Sequence, residues 1–198
     1  MNPDSLALGA VILVALTSVY IFISKDWRFS VGALAIQYIG VFILASISWP
    51  MELAAVKMVA GWMAAAILGI AMAYVPEAWS EQERFLRFGT AFRLLAAGIL
   101  SLAITSLVLH SVEWFPNLSI PIRWGSFFLI GIGLLQLSLT SHPLRVVVGL
   151  LTTLSGFEVI YAAVESSTLV TGLLAVVTLG LALVGTYLII GPTMEANP

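Results

Sequence analysis

Two ionisable side chains interrupt the long apolar runs of this 198-residue chain. Glu158 stands in LRVVVGLLTTLSGFEVIYAAV (144–164), and Lys57 in VKMVAGWMAAAIL (56–68). An ionised group at mid-bilayer depth costs about 2.5–3.5 kcal/mol or more, so an acid in such a run is a functional candidate by default. Its chemistry would be to take and release a proton, or to line an ion path. The plainer alternative is a neutral, hydrogen-bonded glutamic acid that helps packing. For Lys57 the plainer alternative is a side chain that reaches outward to the headgroups. Gln37 and Gln136 also lie within apolar runs. Each is either a relay member or a hydrogen-bond partner between helices.

Depth brings the two charges together. Glu158 is thirteen residues beyond Arg145, about 20 Å along a helix. That is the far half of a hydrocarbon core about 30 Å thick. Lys57, counted from Met51, is about 9 Å in from that same edge. At matching depths on different helices, the two would sense one another directly or through water. Burial disfavours the charged form of each and proximity favours it, so their protonation would be coupled. Around Glu158, small residues at 149, 152, 156 and 163 permit close helix approach. Glu158 lies across the helix from them with Leu151, Leu154, Tyr161 and Glu165, so protein is expected on both sides. Lys57 shares a face with Ala54, Gly61 and Ala64.

The elements that hold these groups must be membrane helices. Hydrophobic residues make up 61% of the chain and charged residues 9%, against about 25% charged in a soluble domain. The net charge of −2 offers no basic field to nucleic acid. The chain has no cysteine, hence no disulfide and no thiolate metal site. His110 and His142 fall on opposite sides and cannot share a metal or clamp a haem. No nucleophile–base set, phosphate loop or metal spacing is present, so no catalytic residue, metal or cofactor is expected. The N-terminus lacks a basic leader and reads as a retained helix.

At about 20 apolar residues per span, seven candidates fit: 5–24, 29–48, 51–74, 92–109, 124–140, 144–164 and 168–190. The expected fold class is an all-α, polytopic membrane protein. PEAWSEQERFLRFGTA (76–91) reads as a solvated, partly helical loop, and EWFPNLSIPIR (113–123) as an interfacial connection. Lys25, Arg28, Arg84, Arg87, Arg93 and Arg145 gather on one side, against Arg123 and Lys57 on the other. That bias places the N-terminus outside and the C-terminus inside. Two turns share a pattern: SKDWRFSVG and TSHPLRVVVG each place an arginine four residues before a glycine. The expected division is a first three-helix unit (1–74), a polar loop with a connector helix (75–118) and a second three-helix unit (119–198). A 3+1+3 plan of parallel repeats is an established membrane architecture.

With GFE at 156–158, Arg145 upstream and TLGLALVG at 178–185, the last three spans resemble the K subunit of bacterial complex I. They also resemble the C subunit of multisubunit cation/proton antiporters. The resemblance implies three helices, N-outside, with a functional glutamate on the middle one, where Glu158 falls. Over its greater length the chain resembles the E component of hydrogenase-4 and formate-hydrogenlyase-type complexes. SKDWRFSVG is similar to that family's first inner turn, and Lys57 in AVKMVAGW matches a lysine on its third helix. The K-subunit pattern has a second glutamate where this chain has Val176, so a complete relay would need Lys57 or a neighbouring subunit. The resemblance implies a non-catalytic subunit of a redox-linked or antiporter-like complex in a prokaryotic inner membrane. Its partners would be the lipid bilayer, large antiporter-like subunits and other small membrane subunits. Glu158, Lys57, Gln37 and Gln136 would form its proton relay. The alternative is a stand-alone secondary transporter of the SWEET type, which shares the parallel-repeat plan but expects proline-interrupted helices. Here the prolines (50, 76, 116, 121, 143, 192) are expected in connections.

Overall fold

The computed structural model describes residues 3–75, 89–113 and 118–195, and among them the fold is all-α. Seven helices follow in order: α1 Pro3–Ile23, α2 Trp27–Ser46, α3 Met51–Ala73, α4 Thr90–His110, α5 Ile120–Leu139, α6 Pro143–Val164 and α7 Thr168–Glu195. Each is long and apolar enough to cross a membrane, and on that ground the chain is an integral membrane protein. Inside lipid every backbone polar group must be satisfied within its own segment, which a helix achieves.

The turns explain where the helices begin. The Asp26 side chain caps α2 by accepting from the Arg28 amide at 2.9 Å. Pro50 sits at the N-cap of α3. Proline also occupies the first turn of α5 and of α6. Its missing N–H is no loss there, because the first turn has no internal acceptor to bond. For this reason α5 starts at Ile120, earlier than apolarity alone indicates, and it takes Pro121 and Arg123 into the helix. Pro192 likewise falls inside α7, which runs to Glu195. The expected loop over 76–91 lies outside the described residues up to 88.

The helices pack in a definite pattern. α1 lies against α2, α4 and α5; α2 also against α3 and α6; α3 against α7; α5 against α6; and α6 against α7. Leu34 and Tyr38 of α2, Ala64 and Leu68 of α3, Leu151 of α6 and Ala182 of α7 share one buried cluster. Val14, Val41, Leu129 and Val159 join α1, α2, α5 and α6 in a second. α4 is peripheral, held by Ala97, Ile104 and Val108 against Phe22, Phe128 and Ile132. Glycines let α5 and α6 touch along their backbones. A Cβ on Gly133 would lie 2.8 Å from the Gly149 carbonyl oxygen, and one on Gly156 2.6 Å from that of Ser126.

Helix starts recur at a near-constant spacing along the chain. α5 and α7 begin 117 positions after α1 and α3, and α6 begins 116 after α2. The buried residues of α7 are Thr171, Thr178, Ala182, Gly185 and Ile189. The residues 117 positions before them, Ala54, Gly61, Ala65, Leu68 and Met72, are all buried as well.

Candidate functional site

Mid-span backbone groups already bond one another along each helix, so a buried charge there depends chiefly on other side chains. Lys57 on α3 and Glu158 on α6 are each about 2% exposed and meet directly: Lys57 Nζ donates to Glu158 Oε1. Among the described residues this is the one salt bridge. Lys57 therefore turns inward instead of reaching for the headgroups. Its ammonium also donates to Thr178 Oγ1 of α7 at 2.6 Å. Thr178 in turn donates to the Leu174 carbonyl at 2.9 Å, which leaves a lone pair for the ammonium. Three helices thus converge on one charge pair. The second carboxylate oxygen, Glu158 Oε2, is buried without a hydrogen-bond partner. An acceptor left in that condition costs about 1–3 kcal/mol.

One helical turn away the polar character continues. Tyr38 of α2 is fully buried. Its ring rests on Gly61 of α3, where any Cβ would overlap it. Its hydroxyl comes beside Ser155 and near Glu158 but falls short of a hydrogen bond. Gln37, the preceding residue, serves a separate contact. Its Nε2 donates to Ser18 Oγ of α1 at 2.6 Å, and its Oε1 accepts from Thr152 of α6 at a long 3.4 Å. Gln136 is not part of this group. It donates to the Arg145 carbonyl at 2.7 Å, where α5 turns into α6.

A second buried set of charges lies at that same end of the bundle. Arg93 of α4 and Arg145 of α6 are 1% and 4% exposed; the charge count alone would set them at the surface. Both reach the C-terminal end of α1. Arg93 Nη1 donates to the Phe22 carbonyl at 2.6 Å and its guanidinium covers the Phe22 ring. Arg145 Nη2 donates to the Ser24 carbonyl. The last carbonyls of a helix lack partners and carry its negative dipole end, so cations are stabilised there. The two guanidinium groups are near enough to repel. His142, the N-cap of α6, lies beside Arg145; burial first, and then that positive charge, hold its imidazole below the usual histidine range.

Of the four expected site residues, Lys57 and Glu158 are in contact, Gln37 lies in the adjoining polar layer and Gln136 stands apart. Tyr38, Thr178 and Arg93 emerge only from the structure. The single signal for Thr178 is a hydroxyl in the apolar run VVTLGLAL. No protein-family model, curated protein or solved structure matches the chain.

Proposed function

We propose that the chain is a non-catalytic membrane subunit of a redox-linked or antiporter-like ion-translocating complex, in which Glu158 takes and releases a proton within the membrane. The observation that carries this reading is the buried Lys57–Glu158 pair. A carboxylate whose charge depends on a neighbouring ammonium can pass an electrostatic signal as well as a proton. Thr178 would hold the ammonium near Glu158, and Gln37 with Thr152 would extend the polar path along α6. The resemblance to hydrogenase-4-type E components and complex I K subunits favours such a complex, with large antiporter-like subunits as neighbours.

The correspondence between the halves supports reading them as parallel repeats, and the Lys and Arg bias favours the N-terminus outside. The repeat plan is shared by stand-alone transporters of the SWEET type. That second reading needs a solute path between the repeats, where Leu34, Tyr38, Leu68 and Leu151 are packed instead.

The test is purification under mild conditions, followed by Glu158→Gln in the assembled machine. We expect antiporter-like and hydrophilic redox subunits to accompany the chain. We also expect Glu158→Gln to abolish or strongly reduce ion movement while assembly is kept. Full pumping by that variant would overturn the relay. Isolated protein that carries a neutral solute into liposomes would favour the transporter.

A further inference from the structure

Among the described residues, Glu158 Oε2 and Tyr38 Oη are both buried oxygens without hydrogen-bond partners. Tyr38 stands near enough to Glu158 to feel its charge. Tyr38 Oη lies beside Ser155, one turn before Glu158 on α6, and its ring lies on Gly61, one turn after Lys57 on α3. Tyr38 and Ser155 are 117 positions apart, and so are Gly61 and Thr178. The site therefore sits where corresponding positions of the two halves meet.

The surroundings on its two sides differ. Toward the start of α6, polar side chains continue: Thr152 with Gln37 and Ser18, then Arg145 with Gln136 and the Ser24 carbonyl. Toward the end of α6 the packing is apolar. Ala45, Trp49, Ala54 and Ala162 form a cluster with Phe42, Leu53 and Tyr161. Trp49 closes it by donating to the Glu165 carbonyl at 2.8 Å. The titratable groups facing Glu158 are Lys57 from α3 and Tyr38 from α2; α7 contributes the Thr178 hydroxyl.

We infer that Glu158 exchanges its proton through Tyr38 with the Arg145 end of the bundle, and that the Trp49 cluster seals it from the other end. The phenolic O–H bond of Tyr38 breaks as its proton passes to a bridging water, which gives a proton of its own to Glu158 Oε2 and makes it a carboxylic acid. The electron pair left on Oη takes a proton from a hydronium ion on the Ser155 side, which leaves as neutral water. One proton moves, no phenolate accumulates, and release runs the same steps in reverse. Lys57 keeps Oε1 engaged, so Oε2 is the oxygen that receives the proton.

The route rests on the titration of Glu158 set out above, and the experiment separates the two. The full chain is placed in liposomes and sorted to one orientation through a cysteine introduced at exposed Lys25, the native chain having none. Time-resolved infrared spectroscopy then follows the carboxylic acid C=O band of Glu158, assigned by its loss in Glu158→Gln. The expected result is a response to a pH jump on the Lys25 side well before one on the Ser166 side. Tyr38→Phe keeps the ring on Gly61 and should slow that response about 100-fold, the scale of one positioned proton donor, without moving the titration midpoint. Trp49→Ala should bring the Ser166-side response forward. A Tyr38→Phe variant that responds at the native rate, or a native protein that answers first from the Ser166 side, overturns the route alone. A band that never changes with pH overturns the titration of Glu158 and the route together.

Discussion

Two of the places where this protein buries charge stabilise it in different ways. At mid-span, Lys57 and Glu158 hold each other, with a threonine hydroxyl as the only other donor or acceptor engaged. At the end of α1, Arg93 and Arg145 lean on backbone carbonyls that the helix itself leaves unfilled. A cation at a helix end can be stable without an acid. A cation in the middle of a span cannot, because its backbone surroundings are already paired. The mid-span charges are therefore mutually dependent, whereas the two arginines tolerate each other despite repulsion.

The largest effect should come from splitting the mid-span pair. Lys57→Met leaves a buried carboxylate alone, and breaking a buried pair in this way costs about 3–5 kcal/mol. Reversible unfolding in mixed micelles should show that loss. The double variant Lys57→Met/Glu158→Met should recover most of it, since an apolar replacement of both partners is often neutral or better. Additive single and double effects would show that the two side chains do not depend on each other.

The arginine end should give the opposite sign in the same type of cycle. Arg93→Gln removes a charge-assisted hydrogen bond worth about 1.5–3 kcal/mol, but it also relieves Arg145. Removing both arginines should then cost more than the two single losses summed. A double variant that costs less than the sum would erase the distinction between the two sites.

The smallest effect belongs to His142. Its folded imidazole titrates below the ordinary value near 6.5, so on acidification the unfolded chain binds its proton first. This contribution to stability is intact above about pH 6.5 and is lost as the pH falls below it. Native stability should thus decline relative to His142→Gln under mild acid. Parallel unfolding curves from neutral to mildly acidic pH would remove His142 from the arginine end's electrostatics.

The features legible in the sequence were those set by length and composition. Runs of about 20 apolar residues mark all seven helices, and counting residues from the span edges puts Lys57 and Glu158 at one depth. Azimuth was not legible. Whether Tyr38 turns toward Ser155, or Thr178 toward Lys57, depends on how α2 and α7 are rotated against α3 and α6, and strongly apolar helices carry little facial contrast to reveal that. The charge count gives Arg93 and Arg145 a side of the membrane but not their burial, because it ignores backbone acceptors at helix ends. Pro121 and Pro143 read as connection residues because, in sequence, a proline in the first turn of a helix resembles one in a loop.

The bare contact between α5 and α6 has a mechanical consequence. With Gly133 against the Gly149 carbonyl and Gly156 against that of Ser126, neither helix can roll or slide without a backbone collision. The pair moves as a rigid body and carries Glu158 with it. The ammonium and the hydroxyl that meet the carboxylate come instead from α3 and α7.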